Sequence, residues 1–517
     1  MSKKQTKKRK TLEELLEEAL VPEEEQPYPV PENWVWVRMG ALSKVVGGGT
    51  PKTSVAEYYE GGKIPWVTPA DLSNHEDIYI DRGSRYITEL GYKNSSTKLL
   101  PPNSLLLSSR APIGYVAIAR KELCTNQGFK SFTPSKAYLP HYGYWYLKFA
   151  TNIILGFASG TTFQEISGSK AALIPLPLPP LSEQKRIVQR VESLLDKINE
   201  AKQLIEEAKE TFANRRAAIL AKAFRGELTK KWREENPDVE PADILLERIR
   251  EEREKRGTNK KGKKKAQELP PIDPPYELPE GWKWVYLSEL ASFQNGLSKR
   301  SGKDGKPTVV LRLADVKGNK FSLENFREIN LTEKEIEKYK VEENDILFIR
   351  VNGSIDIVGK AILYDLSQKV AYCDHLIRGS FNEKVNNKYI LHFFSSSLVR
   401  NQILKRVVSS AGQNTISQQS LSSLIVPLPP IKEQLVITDI LERLLENEDE
   451  VLQNCIDLQI KIDKIKQSIL TKAFRGELGT NNPEEESAIE LLKETLLEQV
   501  RPTTKKQEKR VQGELVF

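Results

Sequence analysis

Residues 273 to 276 read Asp-Pro-Pro-Tyr, a stretch whose side chains and spacing match a known covalent chemistry. In enzymes that methylate exocyclic amino groups of DNA bases, an acidic side chain and a prolyl carbonyl grip the amino group while an aromatic ring stacks on the flipped base. Methyl transfer also needs a Gly-rich turn after a strand to admit S-adenosylmethionine. No F-x-G-x-G-like segment and no run of alternating strands and helices around one occurs in the sequence. "GGGTPKTS" (47 to 54) is not a nucleotide phosphate loop either, because Pro51 stands where Gly must precede Lys52 and Val46 where Gly must begin the motif. His75, His141, His375 and His392 lack metal-ligand spacing, and Cys124, Cys373 and Cys455 are too dispersed for a zinc site or a disulfide framework. Neither a metal site nor a catalytic constellation is expected.

The tetrapeptide sits inside an internal repeat with an offset of about 250 residues. "ILAKAFRGEL" (219 to 228) returns as "ILTKAFRGEL" (469 to 478), "IPLPLPPLSEQ" (174 to 184) as "LIVPLPPIKEQ" (424 to 434), and "PENWVWVRMGAL" (31 to 42) as "PEGWKWVYLSEL" (279 to 290). In the first copy the approach to the Trp is "EQPYPVPENW", with Gln26 in the place of Pro274 and no Asp before it. A Pro-rich domain entrance is therefore what repeats, and Asp273 is a local accident.

Each copy holds a domain, a long helix and a charged tail. Residues 31–180 and 279–430 are rich in short apolar runs broken by Gly, Asn and Pro, which reads as a compact mixed domain with much strand. Long helices follow over 181–226 and 431–476. In the first, Ile187, Val191, Leu194, Ile198, Ala201, Ile205, Ala208, Phe212, Arg215 and Ile219 alternate steps of four and three, the period of a left-handed coiled coil. In the second the seam is Ile437, Leu441, Leu444, Glu448, Val451, Cys455, Leu458, Ile462, Ile465 and Ile469. Gly226 and Gly476 end the helices. A basic tail with a short helix (1–30), a charged helical connector (227–278) and a C-terminal helix and tail (477–517) complete the chain.

With 517 residues the chain is multidomain. Lys and Arg number 78 against 71 Asp and Glu, a mild excess that suits a polyanion partner without demanding one. Both repeated domains are mildly basic, with 15 basic and 10 acidic residues over 31–180 and 21 and 15 over 281–430. No apolar run approaches membrane-spanning length, and the start "MSKKQTKKRK" leads into charged sequence, so a soluble cytoplasmic protein is expected.

Over nearly its whole length the chain resembles the specificity subunit of Type I restriction-modification systems. The residues that carry the resemblance are Pro31 to Trp36 and Pro279 to Trp284, Pro177 to Pro180 and Pro427 to Pro430, and Lys222 to Leu228 and Lys472 to Leu478. It implies an α+β fold in which two mixed α/β target recognition domains are joined by two long antiparallel coiled-coil helices in a pseudo-twofold internal repeat. Each domain would read one half of a split DNA site, and the helices would dock two methyltransferase subunits. Two restriction subunits complete such complexes. S-adenosylmethionine, ATP and Mg would be bound by those partners, leaving this chain without a cofactor and without catalysis. The rival readings are a coiled-coil scaffold or chromosome-associated protein, which would not need two divergent domains in a repeated frame, and a self-sufficient methyltransferase or nuclease, which would need the missing cofactor and catalytic motifs.

Candidate DNA contacts follow from loop position and side-chain chemistry. Lys52 and Thr53 project from the first Gly-rich loop, and Lys299, Arg300 and Ser301 from its counterpart. "SSRAPIG" with Ser109 and Arg110, and "IRVNGS" with Arg350 and Asn352, interrupt apolar strands; Arg can hold guanine bidentately and Asn adenine. "SGTTFQ" and "SAGQNT" offer Thr161, Thr162, Gln164, Gln413 and Asn414. For each, a turn residue bonding its own loop is the alternative.

Overall fold

The computed structural model describes residues 10–110, 112–160, 164–257 and 269–500. The chain forms two compact units, residues 1–204 with 458–517 and residues 205–457. Each unit thus combines one repeated domain, the first half of the helix leaving that domain, and the last part of the other long helix.

The long helices span Leu181–Phe224 and Ile431–Phe474. Each starts directly after a Pro pair, where Gln184 and Gln434, both fully buried, donate side-chain N–H bonds back to the carbonyls of Pro179 (3.0 Å) and Pro429 (2.9 Å). Gly226 and Gly476 end them at φ +73°, a left-handed conformation that Cβ disfavours. Beyond each, Glu227 N–H reaches Lys222 O (2.9 Å) and Glu477 N–H reaches Lys472 O (2.8 Å), the bonding that stops a helix at such a glycine.

Within the first unit Lys202 meets Asp463 at 2.6 Å and Arg186 reaches Thr480 O at 2.8 Å, so the two helical segments run antiparallel. The second unit repeats this direction through Arg216 with Asp449 and Thr229 with Glu433. Ile187, Val191, Ile198, Ile437, Leu441, Cys455 and Ile462 are buried, while Ile205, Phe212, Val451, Ala201, Ala208, Ile219 and Ile469 are half-buried. Four positions of the expected seam move by one residue. Leu195 and Leu445 are buried where Leu194 and Leu444 are only half-buried, and Leu458 and Ile465 lie about half exposed with Gln459 and Lys466 turned further inward. A strict seven-residue repeat lags the 3.6-residue turn of a straight helix, and beside the domains the buried stripe widens to receive their helices. The two charged seam positions answer each other, with Arg215 Nε 2.9 Å from the buried carboxylate of Glu448.

Each domain is closed by its own ends. Val35–Arg38 pairs antiparallel with Pro175–Leu178, and Lys283–Tyr286 with Ile425–Leu428, in the same register, Trp36 opposite Pro177 and Trp284 opposite Pro427. Proline lacks the ladder N–H, which confines these strands to a two-stranded ribbon. Their carbonyls are used instead: Tyr142 and Tyr389 each donate a 2.6 Å hydroxyl bond, to Pro177 O and Pro427 O. Inside the first domain lie a five-stranded sheet (Val45–Gly47, Lys130–Phe132, Leu105–Leu107, Val116–Ala119, Tyr79–Ile80) and a four-stranded sheet (Arg85–Ile87, Ile64–Val67, Leu123–Thr125, Leu99–Leu100). The second domain has a four-stranded sheet (Ala291–Asn295, Leu376–Phe381, Ile346–Ile349, Ala361–Leu363) and a three-stranded one (Glu328–Leu331, Lys306–Leu311, Ala371–Tyr372). It adds a three-stranded sheet of Val351–Asn352, Gln413–Thr415 and Val408–Ser410.

The end of a long helix is the plug of each unit. Phe474 packs against Tyr142, Tyr146 and Phe149 at ring distances of 5.3 to 5.4 Å, and Phe224 packs in the same way against Tyr389 and Phe393. The helices that follow cover the domain entrances, where Ala488 N–H bonds Asn33 O (3.0 Å) and Ala242 N–H bonds Gly281 O (2.9 Å). No helix among the described residues is long and apolar enough to cross a membrane.

Candidate nucleic-acid interface

In the first unit three loops converge on one turn, Thr125 to Phe129. Gly49 N–H bonds Thr125 O (2.9 Å), Gly48 N–H bonds Phe129 O (3.4 Å) and Thr50 bonds Gln127, which seats the Gly-rich loop with Lys52 and Thr53 exposed at its outer side. Only Gly fits at position 48, where a Cβ would lie 1.9 Å from Asn126 O. Ser109 N–H bonds Gly128 O (2.7 Å), and Ile166 N–H bonds Ser109 O (2.9 Å), which brings in the second and third loops. Arg110 is exposed and pairs with Glu165 (3.0 Å), whose other oxygen faces Lys130 Nζ (3.4 Å). Burial works to raise the Glu165 carboxyl, but Arg110 and Lys130 outweigh it and hold the group below the usual carboxylate range. Gln164 is exposed beside them. Thr161 and Thr162 lie outside the described residues.

Ser109 does not project as its loop position suggests. It is fully buried, with its hydroxyl accepting from Lys130 Nζ at 3.3 Å, because it continues a stretch, Ser104 to Ser108, that is buried at every residue. Surface chemistry at this turn comes instead from Gln127, exposed, and Asn126, whose side chain accepts from Gly128 N–H (2.9 Å).

The second unit repeats the arrangement around Tyr372 to Leu376. Gly296 N–H bonds Leu376 O (3.1 Å), Leu297 N–H bonds Tyr372 O (2.8 Å), and a Cβ on Gly296 would lie 2.1 Å from Cys373 O. Arg350 N–H bonds His375 O (2.8 Å) and Ile416 N–H bonds Arg350 O (3.0 Å), the same two bonds made by Ser109. Ser109, not Arg110, is therefore the counterpart of Arg350. Arg300 donates to Asp374 Oδ1 (2.7 Å) while Arg350 donates to Asp374 O (3.0 Å), so one residue ties two candidate loops. The hydrogen bond to Asp374 raises Arg300 above the ordinary guanidinium value. Lys299 reaches both oxygens of Glu335 at 3.1 Å, and Ser301 is exposed. Asn352 accepts from Ser354 N–H (2.8 Å) and Asn414 donates to Gly353 O (2.8 Å), so both amides are engaged in shaping their loops, whereas Gln413 is exposed at a hairpin tip. That tip turns through Ala411 (φ +47°) and Gly412 (φ +78°), and a non-glycine residue held at positive φ marks strain at the end of a projecting finger.

Sequence reasoning missed the turn on which each site is built. Its signal is a polar interruption between apolar residues at matching places, "CTNQGF" and "YCDHLI". Cys373, Asp374 and His375 bring ligand atoms within 4.8 Å of one another, but Asp374 is already paired to Arg300.

Tyr276 is not placed to stack on a base. Its hydroxyl donates to Phe224 O (2.8 Å), Trp284 meets its ring edge-on at 5.0 Å, and Arg225 sits over a face at 5.4 Å. Tyr28 has the same surroundings in Trp36 (4.9 Å) and Arg475 (5.1 Å), while Asp273 is exposed. The aromatic of the tetrapeptide is a clamp between a domain entrance and a helix end.

Two domains of mixed sheet with one set of convergent loops each, in a frame of long helices, define a protein that presents two related but unlike reading surfaces. Residues 31–210 and 279–458 both match the Type I restriction modification DNA specificity domain, and the chain belongs to that family. It is 28% identical over 460 residues to the Type I restriction enzyme StySPI specificity subunit of Salmonella potsdam, covering 87% of this chain and 90% of that one. To the EcoKI specificity subunit of Escherichia coli K12 it is 26% identical over 507 residues, covering 92% and 98%. Among solved structures it shares its fold with a chain from a type I restriction-modification system studied for complex assembly and conformational transition. That likeness has a TM-score of 0.62 at 19% identity, over 87% of this chain and all of the other.

Proposed function

We propose that this chain supplies the sequence specificity of a Type I restriction-modification complex, each unit reading one half of a split, asymmetric double-stranded DNA site. The observation that carries this reading is the like frame with unlike contents. The same backbone bonds seat three loops on one turn in both units, while the side chains differ, the exposed Gln127 against Asp374 and the buried Ser109 against Arg350. Two methyltransferase subunits and two restriction subunits are its partners. S-adenosylmethionine, ATP and Mg belong to them, and this chain selects DNA without transferring a methyl group or cutting.

Replacing residues 37–174, which keeps Val35, Trp36 and Pro175–Leu178 of the terminal ribbon, with the corresponding segment of another specificity subunit should change one half of the methylated sequence and leave the other half intact. Methylome sequencing reads the outcome, and alteration of both halves would show that the two units do not read independently.

A further inference from the structure

Beside the Asp374 turn the second unit has a cleft of about 240 Å³, lined by Lys299, Arg300, Arg312, Arg327 and His375 over a floor that includes Val310 and Ile329. Four permanent cations share it, and three of them have an acid partner: Glu335 for Lys299, Asp374 for Arg300 and Asp315 for Arg312. The bond found for Arg327 runs to the Arg300 carbonyl, so it adds a charge that this acid set does not answer. We propose that this cleft seats one backbone phosphate of the bound DNA, with Arg312 and Arg327 as its charge donors; the proposal rests on the DNA reading above and deepens it.

A phosphate fits better than a base because of how the guanidiniums are already used. Arg312 spends Nε (3.2 Å) and NH2 (2.8 Å) on Asp315 and NH2 again on Asn325 O (2.6 Å), so it has no free pair of parallel N–H groups for a bidentate contact with guanine. What it still offers is NH1, the nitrogen not spent on Asp315 or Asn325, which can donate to a single phosphate oxygen without reading a base pattern. The first unit has the same backbone here with one of the two arginines, Arg85 pairing with Trp66 where Arg327 stands opposite Val310. Thr68 N–H bonds Asp71 at 2.7 Å as Arg312 N–H bonds Asp315 at 2.7 Å, and Gly128 stands where the second unit has His375. The pair of arginines is therefore a feature of the second unit, while the first keeps a cation at one of the two places.

The test is the salt dependence of binding by the full chain with its methyltransferase subunits, on a duplex carrying the sequence that the complex methylates. Each phosphate contact contributes about 0.9 to the slope of log affinity against log salt. The double variant Arg312→Gln, Arg327→Gln should lower that slope by about one and weaken all target variants alike, Arg327→Lys should retain it, and the distant control Lys283→Gln should match wild type. An unchanged slope would overturn the seat, as would a loss confined to one base pair, which would make one of these arginines a base reader. If the double variant does not assemble, neutral methylphosphonates placed singly along the duplex decide with the wild-type chain. One position in the half-site read by the second unit should lower the slope by about one, and a half-site with no such position refutes the proposal. A wild-type complex without preference for its methylated sequence would instead sink the DNA reading itself.

Discussion

Phe474→Ala removes the plug of the first unit from a position more than 300 residues away in sequence from the rings it touches. The side chain is fully buried, and three aromatic rings lie 5.3 to 5.4 Å from it. Phe→Ala in a core costs about 3 to 5 kcal/mol, and the surrounding ring pairs keep this site off the lower end of that range. At about 4 kcal/mol, opening of the helix end should become roughly a thousandfold more frequent, since 1.4 kcal/mol is about a factor of ten. Hydrogen exchange read by mass spectrometry would locate the change. Peptides covering 140–149, 175–178 and 488–500 should lose protection together, and peptides covering 285–295 and 376–394 should keep theirs. Phe224→Ala should give the converse pattern. Equal loss in both sets, or retention in both, would refute the assignment of each helix end to its own unit.

Tyr276→Phe should cost about 1 kcal/mol for the lost bond to Phe224 O, and Tyr276→Ala about 3 kcal/mol in the stability of the second unit; methylation per assembled complex should stay near wild type, and a fall of several orders of magnitude would restore the catalytic reading of Asp-Pro-Pro-Tyr. His392 is held below the ordinary histidine range, by burial first, with Arg216 and Lys388 adding to the shift and Glu442 and Asp449 opposing it. The unfolded chain takes up that proton near pH 6.5 and the folded one only at lower pH, so the stability tied to the neutral ring is present above the unfolded value and lost as the pH falls below it. Urea unfolding between neutral pH and about pH 5.5 should therefore fall more steeply for wild type than for His392→Gln, and parallel curves would remove His392 as the cause.

The frame was legible because its residues are set by local backbone demands. Gly226 and Gly476 are needed for a positive φ, the Pro carbonyls face tyrosine hydroxyls, and the indoles of Trp36 and Trp284 bond Tyr28 O and Tyr276 O at the same 3.1 Å. Such demands name the residue type, so they show as identities between the copies. The match of Arg110 to Arg350 failed for a different reason. Between copies the offset is 248 at Gly48 and Gly296, 241 at Ser109 and Arg350, and 247 at Asn126 and Cys373, so the loops between the fixed points differ in length and a constant spacing does not find the partner. The seam slipped because a 3.5-residue count and a 3.6-residue helix part company over several turns. Seven apolar or aromatic positions of the expected contact stripe were still found buried.

The repeat in the sequence and the repeat in space are cut at different places, and this explains where identity is concentrated. "KAFRGEL" occurs at the end of each copy, but residues 472–478 belong to the unit of the first domain and residues 222–228 to the unit of the second. Each heptapeptide must fill one aromatic socket, turn through a glycine at φ +73° and place an arginine over a tyrosine, Arg475 over Tyr28 and Arg225 over Tyr276. Two sockets built alike allow one solution, which both copies have. At the reading loops the shared requirement stops at the backbone bonds. Gly128 and His375 accept the same N–H bond, as do Ser109 and Arg350, with side chains of opposite size and charge character. Nothing within the chain restrains those side chains to be alike, which is what two surfaces fitted to two different stretches of DNA require.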